Sequence, residues 1–170
     1  SSLHAPAAAS PAIVAATDLP VSADLENGFG DAPEDAAETI REAGAIGLAG
    51  ASIEDICKKA YAGKVAGLVN NVGQHYNHIH FWSWMKPNGG GKKIPGKLAA
   101  AIDSDLGGYD KMRADFVQAG LTQFGSGWCW IAVKDGKLAI MKTPNGENPL
   151  MHGASPILGC DVWEHSYYID

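Results

Sequence analysis

Two apolar runs, 127–133 and 138–143, flank the turn Lys134-Asp-Gly-Lys137, and this arrangement constrains the fold more than any other stretch. An Asp-Gly pair readily takes the positive φ angles of a two-residue hairpin, so the flanking runs are expected to pair as antiparallel strands. The run 156–163 predicts a third strand. Upstream the pattern is helical. Ser52-Ile-Glu-Asp55 reads as a capping box opening a short helix over 56–62. A longer helix is predicted over 64–85 with Pro87 beyond it, then a Gly-rich loop 88–93. Two more helices, 97–104 and 109–124, are separated by Gly107-Gly108. Helices followed by a small antiparallel sheet make an α+β chain.

The N-terminal part has a different character. Residues 1–20 are rich in Ala, Ser and Pro, with Asp18 their only acid. They read as a flexible tail, or as the remnant of an organelle-targeting segment, which is Ser-rich and acid-poor. Residues 19–26 are strand-like, and a turn follows at Asn27-Gly-Phe-Gly30. Asp31 then caps a helix reaching Ala43, with Pro33 in its first turn and Gly44 at its stop. Residues 45–53 are small and apolar and predict a second buried strand, giving a βαβ outline. The letters 52–55 therefore suit a strand end as well as a helix start.

Composition narrows the function. The chain is 46% hydrophobic, enough for a core, and 13 basic against 19 acidic residues give a net charge of −6. With no basic block, nucleic acid and anionic lipid are disfavoured as partners. No run approaches the ~18 apolar residues of a membrane span. Three cysteines without a C-x-x-C spacing point to a reducing compartment. Cys129 and Cys160 sit in strand-like apolar runs and read as buried, inert thiols.

The chemistry concentrates in Asp161-Val-Trp-Glu-His-Ser-Tyr-Tyr168, which places a carboxylate and an imidazole four residues apart among large aromatics. Those donors suit a first-row transition metal, and an aromatic wall would control water and dielectric around it. A second run, Asn71-Val-Gly-Gln-His-Tyr-Asn-His-Ile-His-Phe-Trp82, puts Gln74, His78 and Trp82 on one helix face. Gln74 could orient a water on such a metal. His75 and His80 fall on other faces and read as surface or packing residues.

From about residue 52 to 170 these motifs, in order, resemble the iron/manganese superoxide dismutase family, iron type. The carriers are Asn70-Asn71, Gln74-x-x-Asn-His78 with Phe81-Trp82, Phe124-Gly-Ser-Gly-Trp-Cys-Trp130, Asn145-x-x-x-Pro-Leu150 and the run 161–168. The resemblance implies an α+β C-terminal domain with a three-stranded antiparallel sheet, preceded by one helix of the family's N-terminal α-hairpin. His78, Asp161 and His165 then match three of four metal ligands. Gln74 matches the outer-sphere glutamine that hydrogen-bonds the metal-bound solvent, the catalytic proton site. That glutamine comes from this helix in the iron type, and from near the position of Gly146 in the manganese type, so Gln74 with Gly146 favours Fe over Mn. Trp82, Trp128 and Trp163 match the aromatic shell. Glu164 and Tyr168 match dimer contacts. The implied substrate is superoxide, with its negative charge steered by local potential rather than by the net −6.

The family's first helix carries the fourth ligand histidine, and no H-x-x-x-H-H-x-x-Y segment is found here; His4 lies in the Ala/Pro tail. The family's closing helix is also not represented. Residues 19–55 instead resemble a fragment of the isocitrate lyase/phosphoenolpyruvate mutase family, whose acidic residues on barrel strand ends hold Mg²⁺. Asp24, Glu26 and Glu54 match those positions, but one βαβ step is far short of the ~250 residues of a barrel. The expected organisation is a tail 1–18, a lyase-like fragment 19–55, a helical remnant 56–88 and a C-terminal domain 89–170. The chain reads either as a fusion or as a joined record. Two functions follow: an iron superoxide dismutase acting as a homodimer, or a degenerate structural subunit holding no metal. The latter would sit in a larger organellar complex such as a photosynthetic membrane assembly. Plastid or other organelle is the expected location, with cytoplasm the alternative.

Overall fold

The computed structural model describes residues 48, 50–85, 87–90 and 94–168. The tail, the strand 19–26, the helix 31–43 and the carboxylates Asp24 and Glu26 lie outside those residues. Four helices, α1 (Ile53–Ala62), α2 (Ala66–Trp84), α3 (Gly96–Leu106) and α4 (Tyr109–Leu121), precede a sheet of β1 (Gly127–Lys134), β2 (Lys137–Pro144) and β3 (Ser155–Asp161). Short 3₁₀ turns occupy Pro149–His152 and Glu164–Ser166. The architecture is the expected α+β arrangement.

Helix boundaries follow local chemistry. The Ser52 hydroxyl accepts from the Asp55 N–H at 3.2 Å, satisfying one free donor of the first turn, and α1 starts at once at Ile53. The strand expected over 45–53 is therefore not seen among its described residues, where Ala51 N–H closes a turn onto the Leu48 carbonyl at 3.0 Å. Glu54 consequently stands in the first turn of a helix and not on a barrel strand end. Lys64 takes φ +56°, so the chain must turn before α2 can begin. Gly107, at φ +77°, ends α3 in the left-handed region. α4 stops at Leu121, short of the expected 124, where the Thr122 hydroxyl bonds back to the Gln118 carbonyl at 2.7 Å.

The sheet order is β2-β1-β3, all antiparallel, so β1 lies in the middle and is buried on both faces. That explains its unbroken apolar run. Asp135 and Gly136 both have positive φ, 51° and 77°, as a type I′ hairpin requires. The β1–β3 pairing slips by one residue between Ile131 and Ala132, and Pro156 falls beside the slip on an edge strand, where a missing N–H is tolerated.

Two apolar cores hold these layers. One joins α1 and α2 to Leu150 and Met151; the other joins Ile102 and Met112, from α3 and α4, to Ile131 and Leu138 of the sheet. Asp105 ties α3 to β2 by accepting from the Leu138 N–H at 2.9 Å. That bond, with the Ser104 hydroxyl, holds its carboxyl below the usual carboxylate range. Thr143, fully buried, accepts from the Trp130 indole N–H at 2.8 Å and donates to the Glu147 carbonyl at 2.7 Å. Thr143→Val keeps the shape but strands both partners, so a loss of about 2–4 kcal/mol is expected in denaturant unfolding. A midpoint equal to wild type would show that water replaces the hydroxyl.

Candidate metal centre

β3 ends at Asp161 for a local reason. Its Oδ1 accepts from the Trp163 N–H at 2.8 Å, an Asx turn that takes Trp163 out of the strand predicted over 156–163. The chain then enters the 3₁₀ turn Glu164–Ser166, and the Ser166 hydroxyl donates to the Asp161 carbonyl at 3.0 Å. This fold-back returns the His165 Nε2 to 3.6 Å from Asp161 Oδ2.

The second histidine comes from α2, which lies against β3. His78 Nδ1 is 2.8 Å from the Gln74 carbonyl, where a ring nitrogen can only donate, so its proton sits on Nδ1. Its Nε2 lies on the other side of the ring, 4.0 Å from Asp161 Oδ2. Two donors on one ion, with bonds of about 2.1 Å, can be at most about 4.2 Å apart. Both histidine–aspartate separations fall inside that limit. The three side chains do not, however, close into a compact three-donor cage among the described residues.

Around this corner lies the expected aromatic wall, with one opening. Trp128 is fully buried and meets the His78 ring edge-on at 5.2 Å between centroids. Phe81 packs on Trp128 at 5.4 Å. Trp82 lies 5.8 Å from His78 and is 41% exposed, so the site opens to solvent on that side. Trp163 borders His165 at 6.0 Å and donates to the Asn145 carbonyl at 3.2 Å. Glu164 and Tyr168 are exposed. Among the remaining histidines, His80 stacks on Trp84 and meets Tyr76 edge-on, a packing role as expected, and His75 is exposed. Burial beside Glu54 pushes the Tyr76 hydroxyl up to about 12, so it stays protonated.

The residues fit a redox metal of the iron or manganese kind. Two imidazoles and one carboxylate are a donor set suited to non-haem iron, and carboxylate also suits manganese. Among the described residues three buried polar atoms lack hydrogen-bond partners: Asn148 Oδ1 in the turn after β2 and, nearer this corner, the acceptor Gln74 Oε1 and the donor Trp128 Nε1. The last two belong to residues in contact with His78. An unpaired buried acceptor and donor are costly in an apolar wall and are accounted for where a polar ligand sits.

Sequence reasoning missed what holds this corner. Asn77, on α2 and fully buried, donates to the Gly146 carbonyl at 3.3 Å and accepts from Asn148 at 3.2 Å. These bonds clamp the turn after β2 to the helix carrying Gln74 and His78. A Cβ on Gly73 would overlap the Gly146 carbonyl, and a Cβ on Gly146 would lie 3.1 Å from Gln74 Cγ. An asparagine inside an otherwise apolar helix face was the available signal, since Asn is a poor helix former there.

The fold is an α+β domain built from a helical layer and a three-stranded sheet, with His78, Asp161 and His165 at one corner of it. Residues 94–170 match the family model described as iron/manganese superoxide dismutases, C-terminal domain. The chain is 71% identical over 124 residues to a manganese superoxide dismutase of Rhizobium meliloti, covering 73% of this chain and 62% of that protein. It is 53% identical over 125 residues to an iron superoxide dismutase of Rhodobacter capsulatus, covering 71% and 62%. To the chloroplastic iron superoxide dismutase 1 of Arabidopsis thaliana it is 45% identical over 124 residues, covering 72% and 58%. Through this C-terminal part the chain is similar to the iron/manganese superoxide dismutase family. It spans less than two thirds of the length of these relatives. Residues 2–83 match a second family model, phosphoenolpyruvate phosphomutase, beyond the 19–55 expected from the residues.

Proposed function

We propose that the chain carries a superoxide dismutase site in which His78, Asp161 and His165 hold the metal. The observation that carries this reading is the approach of both histidine Nε2 atoms to one buried carboxylate oxygen, with the His78 tautomer locked by Gln74. The chemistry that a bound iron or manganese supplies is one-electron exchange, oxidising one superoxide to oxygen and reducing the next to peroxide. Each half-reaction also moves a proton. In this reading Gln74 would orient the solvent that carries it; its backbone carbonyl accepts from His78 and its side-chain Oε1 is buried without a partner, which supports the role. Trp128 and Phe81 limit water on one side, while the open edge at Trp82 and His165 admits a small anion.

Iron is the metal we assign. Gly146 packs against Gln74 Cγ, so the orienting amide comes from α2 and no side chain fits at 146 beside it. The manganese name of the Rhizobium relative carries the opposite expectation, and metal analysis separates the two. The two family matches, over 2–83 and 94–170, support a division into a lyase-like stretch 19–55, a helical part 56–88 and a domain 89–170. The dimer contacts Glu164 and Tyr168, and a plastid location like that of the Arabidopsis relative, belong to this proposal.

Elemental analysis of the purified full chain with a superoxide assay is the test. The expected result is one iron per chain with superoxide removal. Manganese with activity would overturn the iron assignment alone. Neither metal nor activity would replace the dismutase reading with that of a structural subunit, which the open three-donor arrangement favours.

A further inference from the structure

On the sheet face away from the metal corner, Cys129 of β1 and Cys160 of β3 are direct cross-strand partners. The register identifies the kind of pair. Val162 N–H bonds to the Gly127 carbonyl at 3.0 Å, so the mutually hydrogen-bonded pairs are Gly127 with Val162 and, two residues on, Cys129 with Cys160. Directly opposed residues project to the same face, so the two side chains stand side by side, with the Cys160 S–H 3.6 Å from the Asp161 carbonyl. Both line a cleft of about 660 Å³ with Phe116, Val117, Leu121 and Val162. Cys129 is nearly fully buried at the cleft floor beside α4, where a Cβ on Gly120 would lie 3.6 Å from its sulfur. Cys160 is half-buried.

We infer that Cys129 and Cys160 form a reversible redox site, oxidised by a neutral peroxide to a cross-strand disulfide. A hydrogen-bonded antiparallel pair sets the Cα atoms about 5.5 Å apart, inside the span of about 4.4–6.8 Å that a disulfide bridges. Its Cβ atoms stand at about 4.5–5.5 Å, wider than the ~3.8 Å a relaxed disulfide prefers. The bond forms without moving the strands far, but under strain, and strained disulfides are the readily reduced ones. The apolar cleft admits an uncharged oxidant and disfavours an anion. Cys160, the more accessible sulfur, attacks hydrogen peroxide: an S–O bond forms, the O–O bond breaks and water leaves. Cys129 sulfur then attacks the sulfenic acid: the S–S bond forms, the S–O bond breaks and a second water leaves. Two thiols lose two electrons and two protons, and one peroxide becomes two waters. Cys57 has no thiol opposite it: it is fully buried, its S–H faces the Val72 carbonyl at 3.8 Å and its sulfur accepts from Asn148. The register sets the two thiols side by side, and whether they react or stay inert is what the experiment decides.

The site needs no metal, so its test is independent of the dismutase reading. The full chain is treated with hydrogen peroxide in the presence of a chelator, alkylated, digested and mapped by mass spectrometry. Titratable thiols are expected to fall from three to one, with a linked peptide containing Cys129 and Cys160, and to return to three on treatment with reduced glutathione. Cys129→Ser is expected to trap Cys160 as sulfenic or sulfinic acid without a link. Three thiols persisting in the wild type, direct over-oxidation of Cys160 without a linked peptide, or a link that glutathione cannot open would each overturn the proposal.

Discussion

Asp161→Ala is expected to abolish metal binding. Losing even an outer-sphere partner of a metal ligand typically costs about 10–100-fold in affinity, so losing the carboxylate that both histidines face should exceed about 100-fold. The alanine also removes the acceptor for the Trp163 N–H, which could loosen the fold-back that brings His165 to the site. Asp161→Asn separates the two effects. It keeps an Asx acceptor for Trp163 and removes only the charge, so it should stay folded while holding no more than a few per cent of the wild-type metal. Elemental analysis with circular dichroism reads both quantities. Metal at wild-type stoichiometry in Asp161→Ala would mean that the centre lies elsewhere.

Gly73→Ala is the second large effect. In an exposed helix this change would stabilise by about 1 kcal/mol through backbone propensity. Here the added methyl overlaps the Gly146 carbonyl and comes within 3.3 Å of Met151 Cε. The obstacle is backbone, which cannot rotate aside, so the turn after β2 must lift away from α2. Overpacking of this kind costs about 1–3 kcal/mol. Breaking the Asn77–Gly146 hydrogen bond adds about 1–3 kcal/mol in a buried setting. The clash outweighs the propensity gain, and a net loss of about 2–4 kcal/mol is expected in urea unfolding. That is a large share of the ~5–15 kcal/mol typical of a domain. Lifting the turn also displaces the wall against Gln74, so metal retention should weaken with stability. A variant as stable as wild type would show that α2 and the turn do not pack as described.

Local signals were legible wherever a few neighbouring residues settle the geometry. The Ser52 cap, the glycine stop at Gly107 and the Asp135-Gly136 hairpin each act within a turn, and each element they bound is present. Element ends went astray where a side chain intervened. The run 156–163 predicts a strand through Trp163, whereas the Asp161 carboxylate captures the Trp163 N–H and ends it two residues earlier. α4 was drawn to Phe124, but the chain leaves the helix at Thr122, and Phe124 is 97% exposed.

The sequence alone determined the α+β class, the order of the elements and which residues are candidate donors, because periodicity, turn chemistry and residue type are local properties. Only the tertiary structure decided what those donors do. Crossing α2 against β3 brings His78 to a carboxylate far along the chain, and close packing at Gly73 and Gly146 holds the turn after β2 against α2 beside Gln74. Strand register decides whether two cysteines are isolated thiols or a facing pair. A one-residue slip would send every side chain of β3 to the other face of the sheet, and no short stretch of sequence specifies that choice.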